Sequence, residues 1–187
     1  MRVVATEIPD VLIFEPAVVG DDRGFFLEAY NERVFRNAVG RVPPFVQDNH
    51  SHSARGVLRG LHYQLRQSQG KLVRVVSGSV FDVAVDLRRG SATYGRWTSF
   101  EVSAHNRRVV WIPEGFAHGF LVLSETADVL YKATEYYAPQ HERTIRWDDE
   151  DLAIAWPLDG LPRLSAKDRA GLRFRDADPC EPGPEHG

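Results

Sequence analysis

Cysteine is nearly absent: Cys180 is the only one in 187 residues. That excludes an intrachain disulfide and a cysteine-based zinc site. No apolar run approaches the ~20 residues of a membrane span, and Met1 to Asp10 lack the apolar stretch of a secretory signal; a cytoplasmic protein is expected. Blocks of one charge are missing too. The 23 Lys and Arg are interleaved with 26 Asp and Glu, for a net charge of −3. A nucleic-acid or anionic-membrane surface is therefore not expected, and an anionic ligand has to be held by a few placed cations. No repeat of solenoid period and no internal linker divides the chain. One domain over residues 1–175 is expected, with 176–187, rich in Pro, Gly, Asp and Glu, as a disordered tail.

What is present is β-forming. Val57–Tyr63, Lys71–Val76, Val80–Leu87, Thr98–Val102, Val109–Ile112, Phe116–Leu123 and Val129–Tyr136 are rich in β-branched and aromatic residues. Turn signals such as Ser77-Gly78-Ser79 and Arg89-Gly90-Ser91 separate them. Many short, closely spaced strands predict a sandwich or barrel. Two short helices are expected at the periphery. Asn31 is placed to cap Glu32–Val39, whose Val34, Phe35, Ala38 and Val39 form one apolar stripe. Ser165-Ala166-Lys167-Asp168 opens the other with a capping-box pattern.

The chemistry lies in two runs. Gly56-Val57-Leu58-Arg59-Gly60-Leu61-His62-Tyr63-Gln64 leads to Lys71 and Gly78, and Pro113-Glu114-Gly115-Phe116-Ala117-His118 follows. Their spacing resembles the two cupin motifs, in which a double-stranded β-helix aims three histidines and a glutamate at one metal. The frame is kept, but Gln64 replaces the second histidine and Lys71 stands where the glutamate would be. A cation there sits beside an ammonium and lacks its carboxylate, so no metal and no cofactor are expected. Lys71 supplies the metal's positive charge to a developing oxyanion instead. With His62 as a proton acceptor near neutral pH, the pocket suits proton abstraction alpha to a carbonyl.

Further runs carry a closer resemblance: Arg23-Gly24-Phe25-Phe26-Leu27-Glu28, Gln47-Asp48-Asn49, Gly70-Lys71-Leu72-Val73, Pro113–Phe120, Tyr131-Lys132 and Leu164-Ser165-Ala166-Lys167-Asp168. Together they resemble the dTDP-4-dehydrorhamnose 3,5-epimerase family, from about Ile8 to Arg169. The resemblance implies an all-β jelly-roll barrel of the cupin type. It implies His62 as base, oriented by Asp168, Tyr131 as proton donor on the opposite face, and Lys71 at the oxygen that becomes an enolate. Arg23, Glu28, Gln47, Asn49, Arg59, His118, Glu142 and Lys167 match positions that hold the nucleotide diphosphate or the sugar. It also implies a homodimer in which an N-terminal strand crosses to the partner. The expected reaction converts dTDP-4-dehydro-6-deoxy-D-glucose to dTDP-4-dehydro-L-rhamnose.

Each residue has a plainer reading. Asp168, three residues after Ser165, completes a helix N-terminus. Tyr131 in an apolar strand is ordinarily core. Arg23 sits in a turn-like Asp21-Asp22-Arg23-Gly24, where surface ion pairs contribute little. Glu142 and Lys167 fit a solvated surface. If extended, His50 and His52 would share one face, a spacing that can bind metal, but no carboxylate or third histidine is tied to them by sequence, and exposure is expected. Trp97, Trp111, Trp147 and Trp156 are most simply core. Three rival activities remain: a mono-epimerase acting on one carbon of a related keto sugar, a metal-dependent cupin dioxygenase, and a non-catalytic sugar-binding cupin.

Overall fold

The structure, a computed structural model, describes residues 1–180. Its strands are β1 (Arg2–Ala5), β2 (Leu12–Glu15), β3 (Val18–Asp21), β4 (Gly24–Leu27), β5 (Gln47–Ala54), β6 (Leu58–Gln64), β7 (Lys71–Ser77), β8 (Ser79–Asp86), β9 (Trp97–Ser103), β10 (Val109–Ile112), β11 (Phe116–Val122), β12 (Thr126–Ala133) and β13 (Glu142–Thr144). They form a six-stranded sheet in the order β1-β2-β10-β7-β12-β5, facing a five-stranded sheet in the order β13-β6-β11-β8-β9. A separate hairpin pairs β3 with β4. This is the expected all-β jelly roll.

The two inner faces meet over Val73, Val75, Val80, Ala84, Val110, Phe116, Phe120 and Val129. Burial of such alternate side chains is what fixes register, because a one-residue slip exposes the whole set. A second apolar layer, including Leu61, Tyr63, Val85, Ile145 and Trp156, lies on the outer side of the five-stranded sheet under the C-terminal segment. Helix α1 (Glu32–Val39) covers the outer side of the other sheet. Asn31 caps it, accepting from the Val34 N–H, and Gly40 ends it with φ +81°. Its one fully buried side chain, Phe35, packs edge-on to Trp111 with centroids 5.1 Å apart; truncation of such a ring costs about 3–5 kcal/mol.

Two expectations are corrected. The strand expected at Val129–Tyr136 starts at Thr126 and ends at Ala133. The tail does not begin at Asp176: Cys180 is buried and its N–H bonds Leu87 O, while the Asp178 carbonyl accepts the Tyr63 hydroxyl at 2.8 Å. Packing against Tyr63 and Leu87 orders 176–180 despite their polar composition. The rest of the expected tail, 181–187, lies outside the described residues. Among the described residues no helix is long and apolar enough to cross a membrane.

Candidate active site

Between the sheets lies a cavity of about 340 Å³. The five-stranded sheet supplies His62 from β6 and His118 from β11, which stand opposite each other in register. Two glycines allow that approach. A Cβ on Gly60 would meet the Gly119 Cα at 2.5 Å, and one on Gly119 would meet the Arg59 carbonyl at 2.8 Å. Only residues without side chains let β6 and β11 come so close. The six-stranded sheet supplies Lys71 from β7 and Tyr131 from β12, along with Gln47 and Asn49 from β5.

His62 Nε2 lies 2.6 Å from Asp168 Oδ1. Asp168 sits in α2 (Ala166–Arg169), is buried, and also accepts the Gly60 N–H on Oδ1 and the Ser165 hydroxyl on Oδ2. Burial pushes Asp168 upward, but the hydrogen bonds from His62 and Ser165 outweigh it and hold the carboxyl at about 2. Burial pushes His62 below its ordinary value, more than Asp168 raises it. The pair is therefore an ionised carboxylate and a neutral imidazole. Nε2–H is donated to Asp168, and Nδ1 keeps the free lone pair a base requires.

Lys71 is buried, and desolvation brings it down to about 8, with Asp82 and Glu142 acting upward. It is still largely an ammonium at neutral pH. Burial raises the Tyr131 phenol above its ordinary value, so it stays protonated there and can donate. At the cavity mouth, Glu142 accepts Lys167 Nζ at 2.7 Å and the Tyr137 hydroxyl at 2.9 Å. Arg59 donates from Nε to Ser53 Oγ.

Gln47, Asn49, Arg59, His62, Lys71, His118, Tyr131, Glu142 and Lys167 thus all line one cavity, with Asp168 directly behind His62. Arg23 and Glu28 do not reach it. Arg23, in the β3–β4 turn, is exposed and paired with Asp21 at 2.5 Å; Glu28 accepts from Asn31 at 3.1 Å. Ser51, Gln69 and Tyr137 line the cavity and escaped the sequence reading. The signal for Ser51 was its place two and four residues after Asn49 and Gln47, which is legible only once β5 is known to be a strand. The Asn49 amide nitrogen and Ser51 hydroxyl are buried without a hydrogen-bond partner, and ligand oxygens at this wall would complete them.

The donor set does not suit a cupin metal. The Gln64 amide is committed to the backbone, donating to the Gln67 and Tyr136 carbonyls and accepting from the Ala138 N–H. Among the described residues no group of three or more His, Cys, Asp or Glu side chains is placed to hold an ion. His50 and His52 are exposed as expected, yet both face a carboxylate the sequence did not tie to them, Asp128 of β12, at 2.9 and 3.1 Å. Trp111 and Trp156 are buried and Trp97 and Trp147 half-buried; none of the four lines the cavity.

The sequence profile of dTDP-4-dehydrorhamnose 3,5-epimerase matches residues 5–176. The dTDP-4-dehydrorhamnose 3,5-epimerase of Pseudomonas aeruginosa is 63% identical over 97% of this chain and 100% of its own length. A Legionella pneumophila dTDP-6-deoxy-D-glucose-3,5-epimerase, solved in complex with dTDP-4-keto-L-rhamnose, superposes with a TM-score of 0.92 at 50% identity, covering 95% of this chain and 94% of that one. A 3'-monoepimerase of Streptomyces bikiniensis, in complex with dTDP-quinovose, gives 0.86 at 35% identity over 91% and 87%. With profile, sequence and fold in agreement over nearly its whole length, the chain belongs to the dTDP-4-dehydrorhamnose 3,5-epimerase family.

Proposed function

We propose that the chain inverts carbons 3 and 5 of dTDP-4-dehydro-6-deoxy-D-glucose to give dTDP-4-dehydro-L-rhamnose, using its own side chains. The observation that carries this reading is the placement of His62, backed by Asp168, and Tyr131 on facing sheets with Lys71 between the same walls. The ketone at carbon 4 acidifies the hydrogens on both neighbours. His62 Nδ1 takes a proton, the electrons move onto the ketone oxygen, and Lys71 stabilises the enolate. Tyr131 returns a proton from the other face, and the inverted carbon results. Arg59, Gln47 and Asn49 hold the diphosphate, for which an arginine fork is suited. The half-exposed ring of Tyr137 at the mouth is the aromatic available to stack on the base.

Arg23 and Glu28 enter the same scheme through a second copy. The β3–β4 hairpin exposes Val19, Phe25 and Phe26, an apolar surface that a homodimer would cover, and it carries Arg23 at its tip. In this reading the hairpin crosses to the partner and delivers Arg23 and Glu28 to its cavity. Mixed subunits test it: Arg23→Ala and His62→Ala, each inactive alone, regain activity when combined. Persistent inactivity of the mixture, with dimers present, counts against the crossing.

The reaction itself is tested by incubating the protein with the 4-keto substrate and following the sugar ring by NMR. The expected product is inverted at both carbons. Inversion at one carbon only makes the chain a mono-epimerase.

A further inference from the structure

Asp82, on β8, has no part in the steps above. It lies between Val80 and Ala84 of the inner face and is fully buried. Its two oxygens stand 3.1 and 2.9 Å from His118 Nε2, and these are its only side-chain hydrogen bonds among the described residues. One ring N–H is little compensation for a carboxylate so far from water. The remaining compensation is charge. Lys71, buried on the facing sheet, has no hydrogen-bond or ion-pair partner of its own among the described residues, and Asp82 is the strongest charge acting on it.

We propose that Asp82 is a positioning residue: it accepts Nε2–H of His118, leaving Nδ1 as the ring atom that meets the sugar, and it is the counter-charge that keeps Lys71 an ammonium. One carboxylate thereby sets both an orientation and a charge on opposite walls of the cavity. The second half rests on Lys71 facing the ketone oxygen. The other groups that bear on Lys71 are Glu142 from β13, acting upward, and Lys167 from α2, acting downward. His62 from β6 and Tyr131 from β12 line the same cavity. These stay in place when Asp82 alone is changed.

Removal of the Asp82 charge leaves only the weaker pull of Glu142 against burial, and the ammonium then gives up its proton at lower pH. Lysine labelled with carbon-13 at Cε reports this directly, because the chain has three lysines, Lys71, Lys132 and Lys167, and Lys71→Met assigns the signal. In Asp82→Asn the Lys71 titration is expected to fall by about one unit or more. The alkaline limb of the kcat profile moves with it, and KM changes less. A merely structural defect lowers activity at every pH without moving the limb. An unmoved Lys71 titration overturns the proposal whatever the activity. A titration that falls while the limb stays put supports the hold of Asp82 on Lys71 and removes Lys71 from the reaction. If Asp82→Asn does not fold, nitrogen-15 shifts of His118 in the unaltered protein decide the first half: a proton on Nε2 supports it, and a bare Nε2 overturns it.

Discussion

Asp168 divides its carboxylate between two tasks: Oδ1 lies 2.6 Å from His62 Nε2, and Oδ2 lies 2.6 Å from Ser165 Oγ. The Asp168 N–H bonds back to Ser165 Oγ at 3.1 Å, closing the capping box. The helix cap and the histidine partner are thus one residue acting through different atoms. The cap fixes the carboxylate, the carboxylate fixes the ring, and the ring presents Nδ1.

Asp168→Asn therefore loses in two ways. Without the carboxylate to take Nε2–H, the base tautomer is no longer selected, and kcat should fall on the order of 10²–10⁴. Stability should fall as well. A carboxyl held at about 2 against an ordinary 3.8 contributes roughly 2 kcal/mol at neutral pH. Because the folded value is the lower one, that contribution is complete above the ordinary value and is lost as pH falls toward 2. Denaturant unfolding at a series of pH values should show the acid loss in the unaltered protein and a flatter profile in Asp168→Asn. Unchanged kcat in the variant contradicts the dyad.

The pH profile of the reaction follows from two shifts. His62 must be neutral to accept a proton, and burial places it below its ordinary 6.5. Lys71 must be charged to stabilise the enolate, and it gives up its proton at about 8. Activity should rise with pH through the His62 titration, level off near neutrality, and fall near 8. An alkaline limb near the ordinary lysine value contradicts the role of Lys71.

Lys71→Met should lose activity and gain stability. One oxyanion donor is typically worth ~10²–10³ in kcat. Lys71 is charged at neutral pH at the expense of folding, since its folded value of about 8 lies below the ordinary 10.5. That cost is full below 8 and fades as pH rises from 8 to 10.5, so the variant should be more stable at pH 7 by up to about 3 kcal/mol. The gap should narrow across that window. Chelators should leave the unaltered enzyme active; activity that returns only with added metal contradicts the account.

Much of this was legible in the sequence, for reasons particular to each element. Strands β8, β10 and β11 carry nearly unbroken apolar runs because both their faces are covered, and α1 declares itself through Asn31 and Phe35. β5 was missed because its inward row is polar: Gln47, Asn49 and Ser51 face the cavity and Ser53 accepts from Arg59, so no apolar alternation marks it. The same polarity hid Ser51. Tyr131 read as core until the family resemblance raised it, since a strand tyrosine looks alike in either role. Asp128 beside His50 and His52 is a cross-strand neighbour 76 to 78 residues away, which no local spacing reveals. Arg23 and Glu28 were read as part of one site, yet the fold of a single chain leaves them outside it.

Tyr131→Phe should separate exchange from inversion. The substitution keeps the ring and removes only the hydroxyl, so packing changes little. His62 still abstracts a proton and can return it to the same face. The variant should wash solvent deuterium into recovered substrate faster than it makes inverted product. Product ratios equal to those of the unaltered enzyme mean that another group is the acid.

The central claim is that one base, His62, opens both carbons that flank the ketone. Turnover in deuterated water, with deuterium located on the ring by NMR, tests it most directly. The unaltered enzyme should place one solvent deuterium on carbon 3 and one on carbon 5 of an L-configured product. His62→Ala should place neither, with a loss of ~10²–10⁴ in rate, while still binding the nucleotide. Deuterium at only one carbon, or near-full exchange in His62→Ala, contradicts the account.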